Sequence, residues 1–179
     1  MEKALAIILC VVAVCFASCN KEPEEKPNQK FIGSYQGKVT GNITVKGQVP
    51  GMEPMEMPFD SLEMDLIMSI TAGNKDDKVV ANCTIIEENL NFQEETQILN
   101  GTVNGDAVDF DPLTISRDID GSHVNITIDL SGNKVNETTL NIAGNITGDG
   151  TVVIEFVPIP IPVTFNGTIN GALNKLLAE

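Results

Sequence analysis

Tyr35-Gln36-Gly37-Lys38-Val39-Thr40-Gly41-Asn42-Ile43-Thr44-Val45-Lys46 alternates small or apolar residues with polar ones. Successive side chains of a strand point to opposite faces, so this period of two predicts a strand with one dry face and one wet face. The alternation returns at Leu62, Met64, Leu66, Met68, Ile70, at Val79, Ala81, Cys83, Ile85 and at Val124, Ile126, Ile128, Leu130. It recurs at Leu140, Ile142, Gly144, Ile146 and at Val163, Phe165, Gly167, Ile169. Shorter runs at Ile98 to Val103, Ala107 to Phe110, Leu113 to Ile119 and Val152 to Val157 complete the set. Asn104-Gly105, Asp120-Gly121 and Asp149-Gly150 accept the positive φ of tight hairpin turns, and Gly73-Asn74-Lys75-Asp76-Asp77 predicts a longer turn. The sole helix candidate is the short terminal stretch Ala172 to Ala178. Many hairpin-joined strands predict an all-β fold, an antiparallel up-and-down β-barrel of about eight strands, with a β-sandwich as the alternative.

The wet face is built largely from Asn and Thr. Seven Asn-x-Thr triplets begin at Asn42, Asn82, Asn100, Asn125, Asn136, Asn145 and Asn166. They match the N-glycosylation triplet, but residues i and i+2 share one side of a strand, so a solvated Asn/Thr face produces the same pattern without modification. Asp60-Ser61-Leu62 resembles the short O-glycosylation site that Bacteroidetes use on exported proteins.

The N-terminus has a different character. Lys3, an apolar run from Ala4 to Phe16 and the small residues Ala17 and Ser18 have the order of a secretory signal. The run is too short to span a bilayer, which takes about 20 apolar residues. Phe16-Ala17-Ser18-Cys19 resembles the lipobox of bacterial lipoproteins, which implies that Cys19 is acylated and becomes the first residue of the mature chain; an ordinary cleaved signal peptide is the alternative. Two or more acyl chains would anchor the protein stably. Cys10 and Cys15 would leave with the signal, and Cys19 and Cys83 would remain with no internal disulfide between them. The stretch Asn20 to Lys30 is rich in Lys, Glu and Pro and reads as a flexible tether. Its start, Cys19-Asn20-Lys21-Glu22 with Glu24 and Glu25, resembles the signal that sends many Bacteroidetes lipoproteins to the outer face of the outer membrane; a plain solvated linker has the same composition.

Taken with the opening Phe31-Ile32-Gly33-Ser34-Tyr35-Gln36-Gly37-Lys38-Val39 and the closing Val163-Thr164-Phe165-Asn166-Gly167-Thr168-Ile169, these features resemble the calycin-like lipoproteins of Bacteroidetes, which are similar in architecture to lipocalins. The likeness covers most of residues 31 to 171. It lacks the tryptophan that lipocalins carry after the opening glycine, and Tyr35 takes the nearby aromatic position. The domains expected are a signal peptide (1–18), a lipidated tether (19–30) and a calycin-like barrel (31–179).

An eight-stranded barrel can be filled by side chains or can hold one small ligand. Gly37, Gly41, Gly167 and Gly171 on the apolar face either leave room for that ligand or relieve strand bending at barrel corners. Val49-Pro50-Gly51-Met52-Glu53-Pro54-Met55-Glu56-Met57-Pro58-Phe59 lies where lipocalins carry a mouth loop. Thioethers adapt to irregular apolar shapes, so Met52, Met55, Met57 and Phe59 are candidates for a lid; an edge strand or a rim loop is the alternative. Met64, Met68, Tyr35 and Phe165 are candidates for the ligand-facing interior. In Val157-Pro158-Ile159-Pro160-Ile161-Pro162-Val163 the prolines recur at every second residue, which predicts an end to pairing or a blunted sheet edge.

Little points to catalysis. His123 alternates with Asn125 and Thr127 on the wet face, and Cys83 alternates with Val79, Ala81 and Ile85 on the dry one. Asp118, Asp120 and Gly121 resemble part of a calcium loop but lack its remaining oxygens and distal Glu, so a turn is expected. No catalytic set, metal site or cofactor motif is expected. A net charge of −14 argues against nucleic acid and against broad contact with anionic lipid. The reading that results is a non-catalytic lipoprotein of the bacterial outer membrane, on either face, binding a small apolar or amphipathic molecule in its barrel. A sandwich acting as a surface interaction or adhesion module is the alternative.

Overall fold

In the computed structural model, residues 25–49, 51–86, 96–119, 121–154 and 157–177 are described. Nine strands follow one 3₁₀ turn at Gln29–Phe31: β1 (Gly33–Gly47), β2 (Met55–Ala72), β3 (Lys78–Ile86), β4 (Thr96–Asn104), β5 (Ala107–Phe110), β6 (Leu113–Ile119), β7 (Ser122–Lys134), β8 (Thr139–Ile154) and β9 (Val157–Lys175). Every pairing is antiparallel. Among the described residues, consecutive strands pair with each other except β5 and β6, and β9 returns to β1. β5 and β6 both pair with β7, at Asp109↔Ser131 and Leu113↔Ile128, so they occupy one position in the wall in tandem. The ring therefore has eight positions and closes as an up-and-down barrel. A sandwich, which needs connections that cross between two sheets, is excluded by this order.

The alternation sets the two faces as expected. Tyr35, Val39, Leu66, Met68, Ile70, Val79, Ala81, Leu99, Val108, Leu130, Ile142 and Leu173 point inward and form one buried cluster. Asn and Thr line up across strands on the outside, for example Thr44↔Asn166 and Asn166↔Thr147.

One end of the barrel is closed. There the turns Gly73–Asp77, Gly105–Asp106 and Val135–Thr138 gather around the 3₁₀ turn, whose Phe31 is fully buried. Asn28 is 2% exposed and donates from Nδ2 to the carbonyls of Lys75 (3.2 Å) and Lys78 (2.9 Å), while its N–H bonds to Asp76 O. Lys26 pairs with Asp76. The last residues of the stretch expected to be tether thus pack on this end, where Asn28 bonds to turn carbonyls that lie 47 and 50 residues away in the chain. Replacing Asn28 by Ala is expected to cost about 1–3 kcal/mol in urea unfolding, because it removes two hydrogen bonds of a buried side chain, each worth about 0.5–1.5 kcal/mol.

Three local expectations differ from the structure. Asp149-Gly150 is no turn but lies inside β8, opposite Asn125 and Val124. A Cβ on Gly150 would collide with the carbonyl oxygen of His123, so this glycine serves close strand approach rather than a reversal. The expected runs 140–146 and 152–157 join accordingly, up to Ile154, as one strand. The helix candidate at 172–178 is strand through Lys175: Leu173 is fully buried opposite Leu140, and this burial overrides the helix propensity of an Ala/Leu-rich stretch. Residue 178 lies outside the described residues.

The proline run stays in β9, paired with β8 on one side only at Val157, Ile161 and Pro162. Pairing with β1 begins at Val163, and the Pro162 carbonyl accepts from Gln48 N–H on that side. Pro158 and Pro160 fall in the register shift between the pairs Ile154↔Val157 and Val152↔Ile161, beyond the stretch of β9 that β1 reaches. This is the expected blunted edge, achieved without ending the pairing to β8.

Candidate functional site

At the opposite end β1, β2, β8 and β9 extend beyond the other described strands. Residues Met55 to Phe59, expected as a lid or else as an edge strand or rim loop, are strand and pair with β1 at Gly47↔Met55, Val45↔Met57 and Ile43↔Phe59. A register shift between Gly41 and Ile43 is matched on β2 by Ser61, which has φ +60° and donates its N–H to Asn42 Oδ1. The exposed Asp60-Ser61-Leu62 motif is therefore a β-bulge.

Met55, Met57 and Phe59 are thus strand residues on the inward-facing side of the sheet extension formed by β2, β1, β9 and β8, yet each is nearly half exposed. Phe165 lies opposite Val45 in the same row. Together they form an apolar apron above the barrel mouth. Met52 lies in the connecting turn and is exposed, outside the sheet.

Beneath the apron is an apolar cavity of about 70 Å³, lined by Val39, Met64, Leu66, Cys83, Ile85, Gln97, Leu99, Leu113, Ile115, Ile128, Leu130, Ile142 and Ile169. Of the interior candidates, Met64 lines it. Met68 and Tyr35 do not: both are fully buried in the packed part toward the closed end. The Tyr35 hydroxyl accepts from Lys134 Nζ at 2.9 Å, and Lys134 and Lys175 stand 5.1 and 5.9 Å from its ring centroid. Burial raises the hydroxyl pKa and the Lys175 charge opposes that shift; burial lowers the Lys134 ammonium. This is a floor, not a pocket.

The four glycines divide between the two roles expected of them. A Cβ on Gly37 or Gly167 would run into the carbonyl oxygens of Ala172 or Asn42, and one on Gly171 would stand 2.6 Å from Lys38 O. These three permit close strand approach. Gly41 differs: its nearest neighbours would be Thr168 O at 3.7 Å and Met64 Cε at 3.8 Å, so it leaves space between cavity and apron.

The lining carries no charged residue, and Gln97 and Cys83 are its polar members. Burial pushes the Cys83 thiol up to about 12. The native state keeps this proton when the unfolded chain ionises at its ordinary value near 9, so the thiol's contribution to stability is lost as pH rises above that point. The expected loss relative to a Cys83→Ala variant is about 1 kcal/mol per pH unit across that window, measurable by urea unfolding at stepped pH. Below pH 8 the native thiol should resist a disulfide reagent that labels the unfolded chain at once.

Larger concavities lie on the outer wall. One of about 510 Å³ is bounded by Lys75, Lys78, Asn100, Thr102 and Asp111, and one of about 350 Å³ by Asp109, Asp129, Asn145 and Asn170. Both open broadly to solvent, so any ligand there competes with water for its hydrogen bonds. His123 is exposed on the outer face, with Nδ1 2.7 Å from Asp118 Oδ1 and far in register from the cavity lining. Asp118 and Gly121 flank a hairpin end, and Asp120 lies outside the described residues. Among the described residues no three His, Cys, Asp or Glu side chains gather as metal ligands, and no helix is long and apolar enough to cross a membrane. Cys19 and the signal segment lie outside the described residues.

No protein-family model matches the chain, and no curated protein matches it in sequence. Among solved structures, a redesigned β-barrel, b11L5F_LGL, is similar at 8% identity and TM-score 0.42, over 87% of this chain and 100% of its own. The ywiB protein from Bacillus subtilis is similar at 11% identity and TM-score 0.19, over 79% of this chain and 94% of its own.

Proposed function

We propose that this barrel is the non-catalytic binding domain of a cell-envelope lipoprotein, tethered through acylated Cys19 to the bacterial outer membrane, and that it holds a small apolar or amphipathic molecule at its open end. One observation carries the binding reading: an aliphatic cavity without charge continues into an apron in which Met55, Met57 and Phe59 are exposed and Phe165 is half-buried, with no covering layer among the described residues. Exposed apolar surface of this kind on the inward side of a barrel gains about 25 cal/mol per Å² when a ligand covers it. The cavity alone is small beside the roughly 300–1,000 Å³ of drug-sized sites, so the ligand is held partly in the cavity and partly on the apron.

The test is uptake of a dodecyl chain carrying a nitrobenzoxadiazole fluorophore, whose emission rises on burial. Met57→Ser combined with Phe59→Ser is expected to weaken uptake about tenfold, matching about 1.4 kcal/mol of lost apolar contact, with the unfolding midpoint unchanged. Uptake equal to that of the unaltered protein would remove the apron from the site. For the anchor, a Cys19→Ser chain is expected to lose metabolic palmitate label and to leave the membrane fraction.

A further inference from the structure

The closed end differs from the wall in both charge and polarity. Of the described cations, Lys26, Lys30, Lys75, Lys78, Lys134 and Lys175 gather there, beside the 3₁₀ turn, around the Gly73–Asp77 turn and at the ends of β7 and β9. The remaining three, Lys38, Lys46 and Arg117, lie on a wall where Glu56, Asp60, Glu63, Asp118, Asp129 and Asp149 are exposed. Lys26, Lys30 and Lys78 face Asp76, Asp106 and Asp77, and Glu25 and Glu137 share this end. Among the described residues no carboxylate forms an ion pair with Lys75, Lys134 or Lys175. Beside these lysines the fold leaves aliphatic side chains in solvent: Val135 is 59% exposed, Leu176 51% and Leu177 77%. Lys134-Val135 and Lys175-Leu176-Leu177 are neighbours, because Lys175 N–H bonds to Thr138 O and both lysines stand over the Tyr35 ring. Leu176 N–H bonds to Ser34 O, so the exposed leucines are carried on a fixed backbone.

We propose that this closed end is a membrane-docking face: Val135, Leu176 and Leu177 enter the headgroup layer, Lys75, Lys134 and Lys175 meet the phosphates of anionic lipid, and the apron is turned away from the bilayer. The proposal rests on the acylated Cys19 of the reading above and specifies which end of the barrel faces the membrane. Chain length points the same way. Cys19 stands seven residues before Lys26, which pairs with Asp76 at this end, and seven extended residues reach at most about 25 Å. The 15 residues of β1 run about 45 Å from the closed end toward the apron, farther than that link extends. Aliphatic tips among lysines also have the chemistry of an interfacial contact: the tips enter the acyl boundary, and each lysine near an anionic surface strengthens binding roughly fivefold. The acidic excess of the described residues sits on the wall, so docking by this end avoids the repulsion that a broad contact would meet. A ligand then reaches the apron from the aqueous side.

The chain contains no tryptophan, so a single one placed at either end reports on that end alone. Leu177→Trp and, at the far end, Met52→Trp are made separately in the full chain; both positions are exposed and tolerate the larger ring. Protein extracted from the membrane fraction is reconstituted into phosphatidylcholine vesicles with or without phosphatidylglycerol, all containing brominated phosphatidylcholine, which quenches indole inside the bilayer. On the anionic vesicles Leu177→Trp is expected to shift to the blue and to be quenched, while Met52→Trp stays as in buffer. The ratio of docked to undocked protein should fall by roughly fivefold or more on neutral vesicles and in high salt. Vesicle-bound protein in which Leu177→Trp is unquenched, or Met52→Trp is quenched as strongly, overturns the docking face while the anchor stands. Equal quenching on neutral vesicles overturns anionic lipid as the partner. A blue-shifted Leu177→Trp before any vesicle is added shows that another segment of this chain covers the patch, and overturns the proposal as well. A chain whose mass carries no acyl group and which is absent from the membrane fraction overturns the anchored reading and the docking with it.

Discussion

Gly167→Ala is expected to destabilise the barrel by about 3 kcal/mol or more, at the upper end of what added volume costs in a packed protein. The added methyl has no flexible neighbour to push aside. It would meet the Asn42 carbonyl oxygen and stand 2.9 Å from Ile43 Cα, both backbone atoms of the paired strand. Relief requires β1 and β9 to separate, and that junction closes the ring. Gly41→Ala is the control with the opposite sign. Its nearest atoms would be 3.7 Å away and its φ is not positive, so the reduced freedom of the unfolded chain should stabilise by about 0.4–1 kcal/mol. Urea unfolding with unchanged m-values for both variants checks the pair. Equal midpoints would mean that the wall breathes enough to absorb a methyl at Gly167.

Tyr35→Ala is expected to cost about 3–5 kcal/mol, the range for removing a buried aromatic side chain. Tyr35 is fully buried where the floor closes, beneath Lys134 and Lys175, so its loss opens a void with cationic walls. Tyr35→Phe keeps the packing and removes only the oxygen that accepts from Lys134, whose ammonium still donates to the Glu137 carbonyl at 2.8 Å. That change should cost about 1 kcal/mol. The same two variants separate floor from site. At a temperature where Tyr35→Ala remains folded, both should take up the labelled dodecyl chain as the unaltered protein does, since Tyr35 does not line the cavity. Weakened uptake in Tyr35→Phe would return this residue to the binding site.

The site was less legible in the sequence than the barrel. Alternation marked Met64, Cys83 and Leu130 as inward, and each lines the cavity. It gave Met68 the same standing, although Met68 lies in the packed layer, because a period of two says which face a residue takes but not how far along the barrel axis it sits. The strand at Met55–Phe59 was hidden by Pro54 and Pro58, which read as loop. Pro58 is tolerated opposite Thr44 because, among the described residues, β2 has only β1 beside it at that level. Asp149-Gly150 misled in the other direction, a turn dipeptide used for strand contact.

The sequence by itself determined that this chain is all β, which side of each strand is dry, that hairpins join the strands in order, and that the surface is an acidic Asn/Thr wall, since each of these follows from local periodicity and composition. Only the tertiary structure decided that the ring closes through β9 and β1, that a polar segment before Phe31 packs on one end, and that β5 and β6 share one place in the wall beside an aliphatic cavity. Those outcomes depend on the stagger between strands distant in the chain, and stagger is fixed by packing and carbonyl contacts that no single segment contains.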